Sequence, residues 1–192
     1  MILYITCRTL LVTGVPINAY GPTQPNSTAD PRLVERFYQE LGSAVTQCPA
    51  RYELYILGDF NAKLGKRPVD NDDNNVFANH MGAYGNGTMN DNGQELLNFM
   101  TSQGLFACNT AFKHKAAHIT TRTGYARDWT APKNVHRTRP YYRQIDYILC
   151  RTRSKCLLDD ARAYGGAKTD SDHKIVRAKI DYNKLFLSLI HI

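Results

Sequence analysis

The sequence predicts a layered fold of mixed strands and helices, α/β or α+β, and three observations carry that expectation. Short apolar runs bounded by Gly and Pro recur along the 192 residues, as in Leu54-Tyr55-Ile56-Leu57 before Gly58. Two segments place apolar residues at helical spacing behind capping residues, as a helix with one buried face requires. Strands and helices mix without strict alternation, which indicates stacked layers. The length suits one domain able to hide roughly 70% of its unfolded surface. With 10% aromatics and apolar segments throughout, wholesale disorder is excluded. No run of 18 apolar residues occurs, which excludes a spanning helix and any membrane partner it would imply. There are no repeats and no domain linker.

The opening Met1-Ile2-Leu3-Tyr4-Ile5-Thr6-Cys7-Arg8 lacks a basic leader, and Arg8 interrupts the apolar run, so it reads as a strand rather than a signal peptide. Residues 2–12 and 15–20 predict two strands around Thr13-Gly14, the second stopping at Tyr20-Gly21-Pro22. Asp30 as N-cap and Pro31 at the first helical position open a helix. Leu33, Phe37, Leu41 and Val45 would form its buried stripe. Leu54 to Leu57 suits a strand buried on both faces. Residues 63–95 are rich in Asn, Asp and Gly and predict a long loop. Near its end Asn92 would cap a helix that buries Leu96, Leu97 and Met100 and stops at Gly104. Further strands are expected at 105–109, 143–150 and 173–180.

The net charge of +7 is unevenly spread. Residues 1–112 hold 7 Lys and Arg against 10 Asp and Glu, whereas residues 113–179 hold 16 against 6. A basic second half is either a phosphate-binding footprint or a solubilising surface. Five cysteines without a Cys-x-x-Cys pair argue against a disulfide framework or a zinc knuckle and favour a reducing, intracellular compartment.

Three clusters place polar groups where strands leave the core. In Gly58-Asp59-Phe60-Asn61, residues 59 and 61 point to one side and Phe60 to the other. The pair is either an Asx-type turn that ends the strand or the start of a site. Asp146, in Gln144-Ile145-Asp146-Tyr147-Ile148-Leu149, interrupts an apolar strand and needs a partner once buried. Ser171-Asp172-His173 precedes the alternating Lys174-Ile175-Val176. Asp146 bonded to His173 would orient the imidazole and raise its pKa, favouring a cation able to hold a phosphate oxygen. Each cluster alone reads as structural; together they point to phosphoester cleavage.

The ordered series Ile17-Asn18-Ala19-Tyr20-Gly21-Pro22, Gly58-Asp59-Phe60-Asn61-Ala62, Gln144-Ile145-Asp146-Tyr147 and Ser171-Asp172-His173 resembles the endonuclease/exonuclease/phosphatase superfamily. Asn90-Asp91-Asn92-Gly93, Asn109-Thr110-Ala111-Phe112 and the run from Ser171 to Ile180 are similar to the endonuclease domains of LINE-type retrotransposons. The resemblance implies an α/β fold, a two-sheet β-sandwich flanked by helices, here incomplete at its N-terminus. It also implies a Mg²⁺-dependent endonuclease that nicks DNA for retrotransposition, in the nucleus, beside a C-terminal reverse transcriptase in the parent polyprotein. Position by position, it makes Asp59 a base or acid for the attacking water or leaving oxygen. Asn61 would hold water and a phosphate oxygen, His173 would stabilise the growing charge, and Asp146 would orient His173. Tyr20 would donate to the scissile phosphate and Asp172 would lie at the Mg²⁺. Asn18, Thr121 and Ser171 would bind substrate, with Trp129 as an alternative alignment to Thr121.

The chain also departs from that family. The family's upstream segment supplies a metal-binding Asn and Glu that this sequence lacks, and Glu35, Glu40, Glu53 and Glu95 all lie away from the motifs. Weak or absent catalysis is therefore expected of this chain alone. Arg122 stands where the family usually has tryptophan. Residues 1–183 are expected to form the partial domain and 184–192 a tail. Within the tail, Leu187-Ser188-Leu189-Ile190-His191-Ile192 resembles a translated sequencing adapter. The competing expectations are a phosphatase of the same superfamily, a non-catalytic basic nucleic-acid-binding remnant and a fragment without a stable fold.

Overall fold

The computed structural model describes residues 4–6, 14–23, 31–67, 76–128, 130, 137–166 and 170–184. Expectations for Asp30, Trp129 and residues 187–192 lie outside these residues. So do those for the remainder of the first strand, for Thr13 and for most of the tail.

Nine strands and three helices are described: β1 (Tyr4–Thr6), β2 (Gly14–Tyr20), α1 (Pro31–Gln47), β3 (Glu53–Asp59), α2 (Asp91–Gln103), β4 (Leu105–Ala107), α3 (Ala116–Ile119), β5 (Arg122–Arg127), β6 (Thr138–Arg143), β7 (Asp146–Arg151), β8 (Leu158–Tyr164) and β9 (Ile175–Ile180). They form a four-stranded sheet β2-β3-β7-β4, a three-stranded sheet β1-β9-β8 and the two-stranded ribbon β5-β6. The two N-terminal strands part company. β1 runs parallel to β9 in one sheet, and β2 runs parallel to β3 in the other.

All seven residues of β3 are buried, because its alternating side chains feed two cores. Leu54 and Ile56 join Leu41 and Val45 of α1, Leu96 and Met100 of α2, and Tyr147 and Leu149 of β7. Tyr55 and Leu57 face the opposite way, toward Leu158 and Ala161 of β8 and Val176, Ala178 and Ile180 of β9. β7 alternates in the same manner, with Ile148 and Cys150 in the second core. The molecule is thus helices on sheet on sheet, a β-sandwich with α1 and α2 on one face. No helix among the described residues is long and apolar enough to cross a membrane.

Several elements differ from expectation for physical reasons. On α1 the buried residues are Val34, Leu41 and Val45, while Leu33 is 57% exposed. Steps of four residues drift by about 40° each on a helix of 3.6 residues per turn, so Leu33 falls off the stripe. α2 is capped by Asn90 rather than Asn92: Asn90 is extended and its side chain accepts from Gly93 N. Gly104 ends that helix in the left-handed conformation at φ 60°, as expected of glycine. The strand expected at 143–150 starts at Asp146, and residues 105–109 are a three-residue strand that passes into a 3-10 turn at Cys108–Thr110. The expected loop at 63–95 contains a short turn at Val76–Asn79 and the fully buried Met81, which bridges to Ala107. β5 and β6 are unforeseen because both their faces are largely open and their sequences do not alternate. β8 is unforeseen because its inward residues include the small Ala161 and Ala163.

Candidate active site

The strand register assembles the site. Tyr20 at the end of β2 pairs with Asp59 at the end of β3, and Asp59 pairs with Asp146 at the start of β7. Residues paired side by side share a face, so these three side chains leave the four-stranded sheet together. Close approach of β2 and β3 requires glycine at position 58, where a Cβ would run into the carbonyl oxygen of Ala19.

The 59–61 turn is an Asx turn: Asn61 N donates to Asp59 Oδ1 at 2.9 Å. The same carboxylate presents Oδ2 to His173 Nε2 at 3.8 Å, so one side chain both ends the strand and faces the histidine. Asn61 holds φ at 47°, a conformation uncommon for non-glycine residues. Its amide donates to Gly21 O at 2.9 Å, and its carbonyl accepts from Asn92 Nδ2 at 3.1 Å. Asn90 Oδ1 accepts from both Lys63 N and Gly93 N, at 2.8 and 3.0 Å. The start of α2 therefore clamps the loop that carries Asn61. This is the structural work of the Asn90-Asp91-Asn92-Gly93 run.

His173 Nδ1 lies 3.0 and 3.1 Å from the two oxygens of Asp146, which is fully buried. An ionised carboxylate only accepts, so Nδ1 is the donor and Nε2 is the nitrogen turned to Asp59 and Asp172. The hydrogen bond that His173 donates to Asp146 raises the His173 pKa, against the opposing pull of burial. Burial raises the Asp59 pKa, and the Asp146 charge adds to the rise, although the bond from Asn61 N opposes it. Partial burial works against ionisation of Asp172, but Arg122, donating through Nε at 2.7 Å, prevails and holds that carboxyl below its usual value. Asp172 Oδ1 is 3.9 Å from His173 Nε2.

A second set of bonds fixes Asp146 and His173 from behind. Thr121 Oγ1 accepts from Ile145 N and Asp146 N, at 3.0 and 3.1 Å. Asn109 Nδ2 donates to Asp146 O, and Asn109 Oδ1 accepts from Ile148 N. Ser171 Oγ accepts from His173 N at 3.1 Å.

Among the sequence-derived residues, the structure gathers Asp59, Asp146, His173, Asp172 and Asn61 at one end of the sheet. Tyr20 is 72% exposed beside Asp59, and Asn18 is exposed one pleat earlier on the same face. Thr121 stands apart from that expectation, since it is fully buried with its hydroxyl spent on two backbone amides. It braces β7 from inside rather than presenting a group to substrate. Sequence reasoning noted Arg122 only as a departure from family. Its pairing with Asp172 depends on β5 lying beside the 172–174 turn, where Thr123 N donates to Asp172 O and Lys174 N to Thr121 O.

Ligand atoms of Asp59, Asp146 and His173 lie within 4.8 Å of one another, a group that could hold a divalent metal ion. Two carboxylates set opposite each other in register favour a nearby cation, and oxygen donors suit a hard ion such as Mg²⁺ in kind. The described glutamates lie elsewhere. Glu35 and Glu40 are on α1 and Glu95 on α2, while Glu53 bonds Ser154 at the far end of β3 from Asp59.

Two curated proteins named craniofacial development protein 2, from Bos taurus and Tragulus javanicus, are each 32% identical to the chain, over 163 and 155 residues. Those stretches take in 85% and 81% of this chain but 24% of each relative, so the chain spans about a quarter of their length. Among solved structures, a 3'-5' exonuclease from Neisseria meningitidis is similar with a TM-score of 0.51. That likeness covers 87% of this chain and 61% of the other at 18% identity, a likeness of fold. Residues 2–173, most of the sequence, match the Endonuclease/Exonuclease/phosphatase family, and the chain belongs to it.

Proposed function

We propose that this chain carries the phosphodiester-cleaving centre of a Mg²⁺-dependent DNA endonuclease. In the longer protein it would nick chromosomal DNA in the nucleus for retrotransposition, beside a reverse transcriptase. The observation that supports this most is the Asp59–Asp146–His173 group at the ends of adjoining strands, next to an arginine-bearing ribbon. Asp59, with its raised pKa, is suited to take or return a proton at the attacking water or the leaving oxygen. His173, its pKa raised by the hydrogen bond to Asp146, turns Nε2 to the position where a phosphate oxygen gains charge. Asn61 and Tyr20 stand beside Asp59 to orient that phosphate, and exposed Asn18 lies on the path leading to it. Asp172 is the carboxylate that would lie at a Mg²⁺ ion, which when bound would supply Lewis-acid stabilisation. Asp146 is committed to His173 and Asp172 is shared with Arg122, so few oxygens remain for the metal. Weak cleavage is therefore expected of this chain alone.

The test is supercoiled plasmid incubated with the purified chain in Mg²⁺ and in EDTA, beside His173→Ala. Slow nicking that needs Mg²⁺ and is lost with His173 supports the proposal. Nicking that survives either change refutes it. The basic second half favours DNA over an inositol phosphate; hydrolysis of the latter, with DNA binding insensitive to salt, would favour the phosphatase instead.

A further inference from the structure

The β5–β6 ribbon forms its own two-stranded sheet, bridged to residue 173 at Arg122, and its two faces carry different side chains. Its register pairs Arg122 with Arg143, Gly124 with Tyr141 and Ala126 with Arg139, so these share one face. On that face Arg122 reaches Asp172 beside His173, and the Arg143 guanidinium sits 4.5 Å from the centre of the Tyr141 ring. The Tyr141 ring lies over Gly124, where a Cβ would meet Tyr141 Oη at 2.5 Å and the ring would have to shift.

The other face pairs Thr123 with Tyr142, Tyr125 with Pro140 and Arg127 with Thr138. Tyr125 is 76% exposed and Tyr142 is 63% exposed, among the largest apolar surfaces the described molecule leaves in water. They are diagonal neighbours on a ribbon whose start is bridged by residue 173 and which no other described strand extends. The twelve ribbon residues contain four arginines and no acid. Rings left open on a ribbon that carries arginines and no acid, joined through Arg122 to the Asp59–Asp146–His173 group, match nucleobases and phosphates together.

We propose that the ribbon is a strand-separating wedge. The arginine face, continuous with the active site through Arg122, holds phosphates of the strand to be cut. Tyr125 and Tyr142 on the reverse face stack unpaired bases, so the preferred substrate is DNA with unpaired bases next to the bond that is cleaved. Paired bases are already stacked in the duplex and offer these rings no face. The inference rests on the nuclease reading but is tested apart from it.

The experiment measures binding of the 192-residue chain to a labelled duplex, and to the same duplex with a short central bubble, by fluorescence anisotropy in EDTA. Stacking on two tyrosines should favour the bubble by about tenfold or more. Tyr125→Ala/Tyr142→Ala should abolish that preference and leave duplex affinity within about twofold. Tyr125→Phe/Tyr142→Phe should retain it, since the ring is kept. Arg139→Gln/Arg143→Gln should weaken both ligands and flatten the salt dependence. Equal affinity for both ligands, no binding to either, or a preference that survives the double alanine variant would overturn the proposal. A bubble preference without Mg²⁺-dependent nicking would support the wedge while removing the catalytic reading.

Discussion

Thr121 is the most economical test of how the site is held. Its hydroxyl is fully buried and is the acceptor for Ile145 N and Asp146 N, both at buried residues. Thr121→Val keeps the shape of the side chain and removes the acceptor. Each buried N–H left without a partner costs about 1–3 kcal/mol, so the pair costs about 2–6 kcal/mol. Domains of this kind are stable by only about 5–15 kcal/mol, so the loss is a large part of the whole. With a urea slope near 2 kcal/mol/M, the unfolding midpoint should fall by roughly 1–3 M. Thr121→Ser, which keeps the oxygen and loses one methyl, should cost only about 1 kcal/mol. Paired urea titrations followed by circular dichroism measure both variants. If Thr121→Val unfolds within about 0.5 kcal/mol of the parent chain, the hydroxyl does not brace the start of β7. If Thr121→Ser is as damaging as Thr121→Val, the loss is one of packing rather than hydrogen bonding.

Asp59→Asn should raise stability at pH 7 while ending cleavage. An acid whose pKa is raised by folding costs stability once pH rises through the range above its unfolded value, and Asn carries no charge while still accepting from Asn61 N. Chemical denaturation at pH 7 reads this directly; a loss of stability would show that the ionised carboxylate is welcome there. The Asp146–His173 pair acts with the opposite dependence, because folding raises the pKa of a base. Its stabilisation is complete below the unfolded histidine value and is lost as pH rises through the raised one. The stability gap between the parent and His173→Gln should therefore narrow as pH rises above about 6.5, and a widening gap would contradict the raised His173 pKa. Gly58→Ala should cost more than about 3 kcal/mol, since the new Cβ meets the backbone of β2 rather than a side chain that can turn away. A melting curve close to that of the parent chain would mean the β2–β3 spacing is looser than described.

Periodicity alone located β3, α1 and α2, because a strand buried on both faces and a helix with one buried stripe each leave an unambiguous local pattern. The same local logic brought out Asp59, Asp146 and His173, each a polar residue where an apolar run meets a turn. It failed where a residue's neighbours come from distant sequence. The β5–β6 ribbon has no buried face to impose alternation, and β8 buries alanines that propensity places elsewhere. Asn92 reads as a helix cap, and only the approach of residues 21–22 and 61 makes it a clamp on the Asn61 loop.

By itself the sequence determined the layered class, the long elements and which residue types carry the chemistry, since these follow from hydrophobic period and from the cost of burying charge. Tertiary structure alone decided that Asp59 and Asp146, 87 positions apart, would face each other in register. It also turned Thr121 inward and Arg122 onto Asp172. The reason is physical: strand register is a property of two segments at once. Neither segment encodes it without the other.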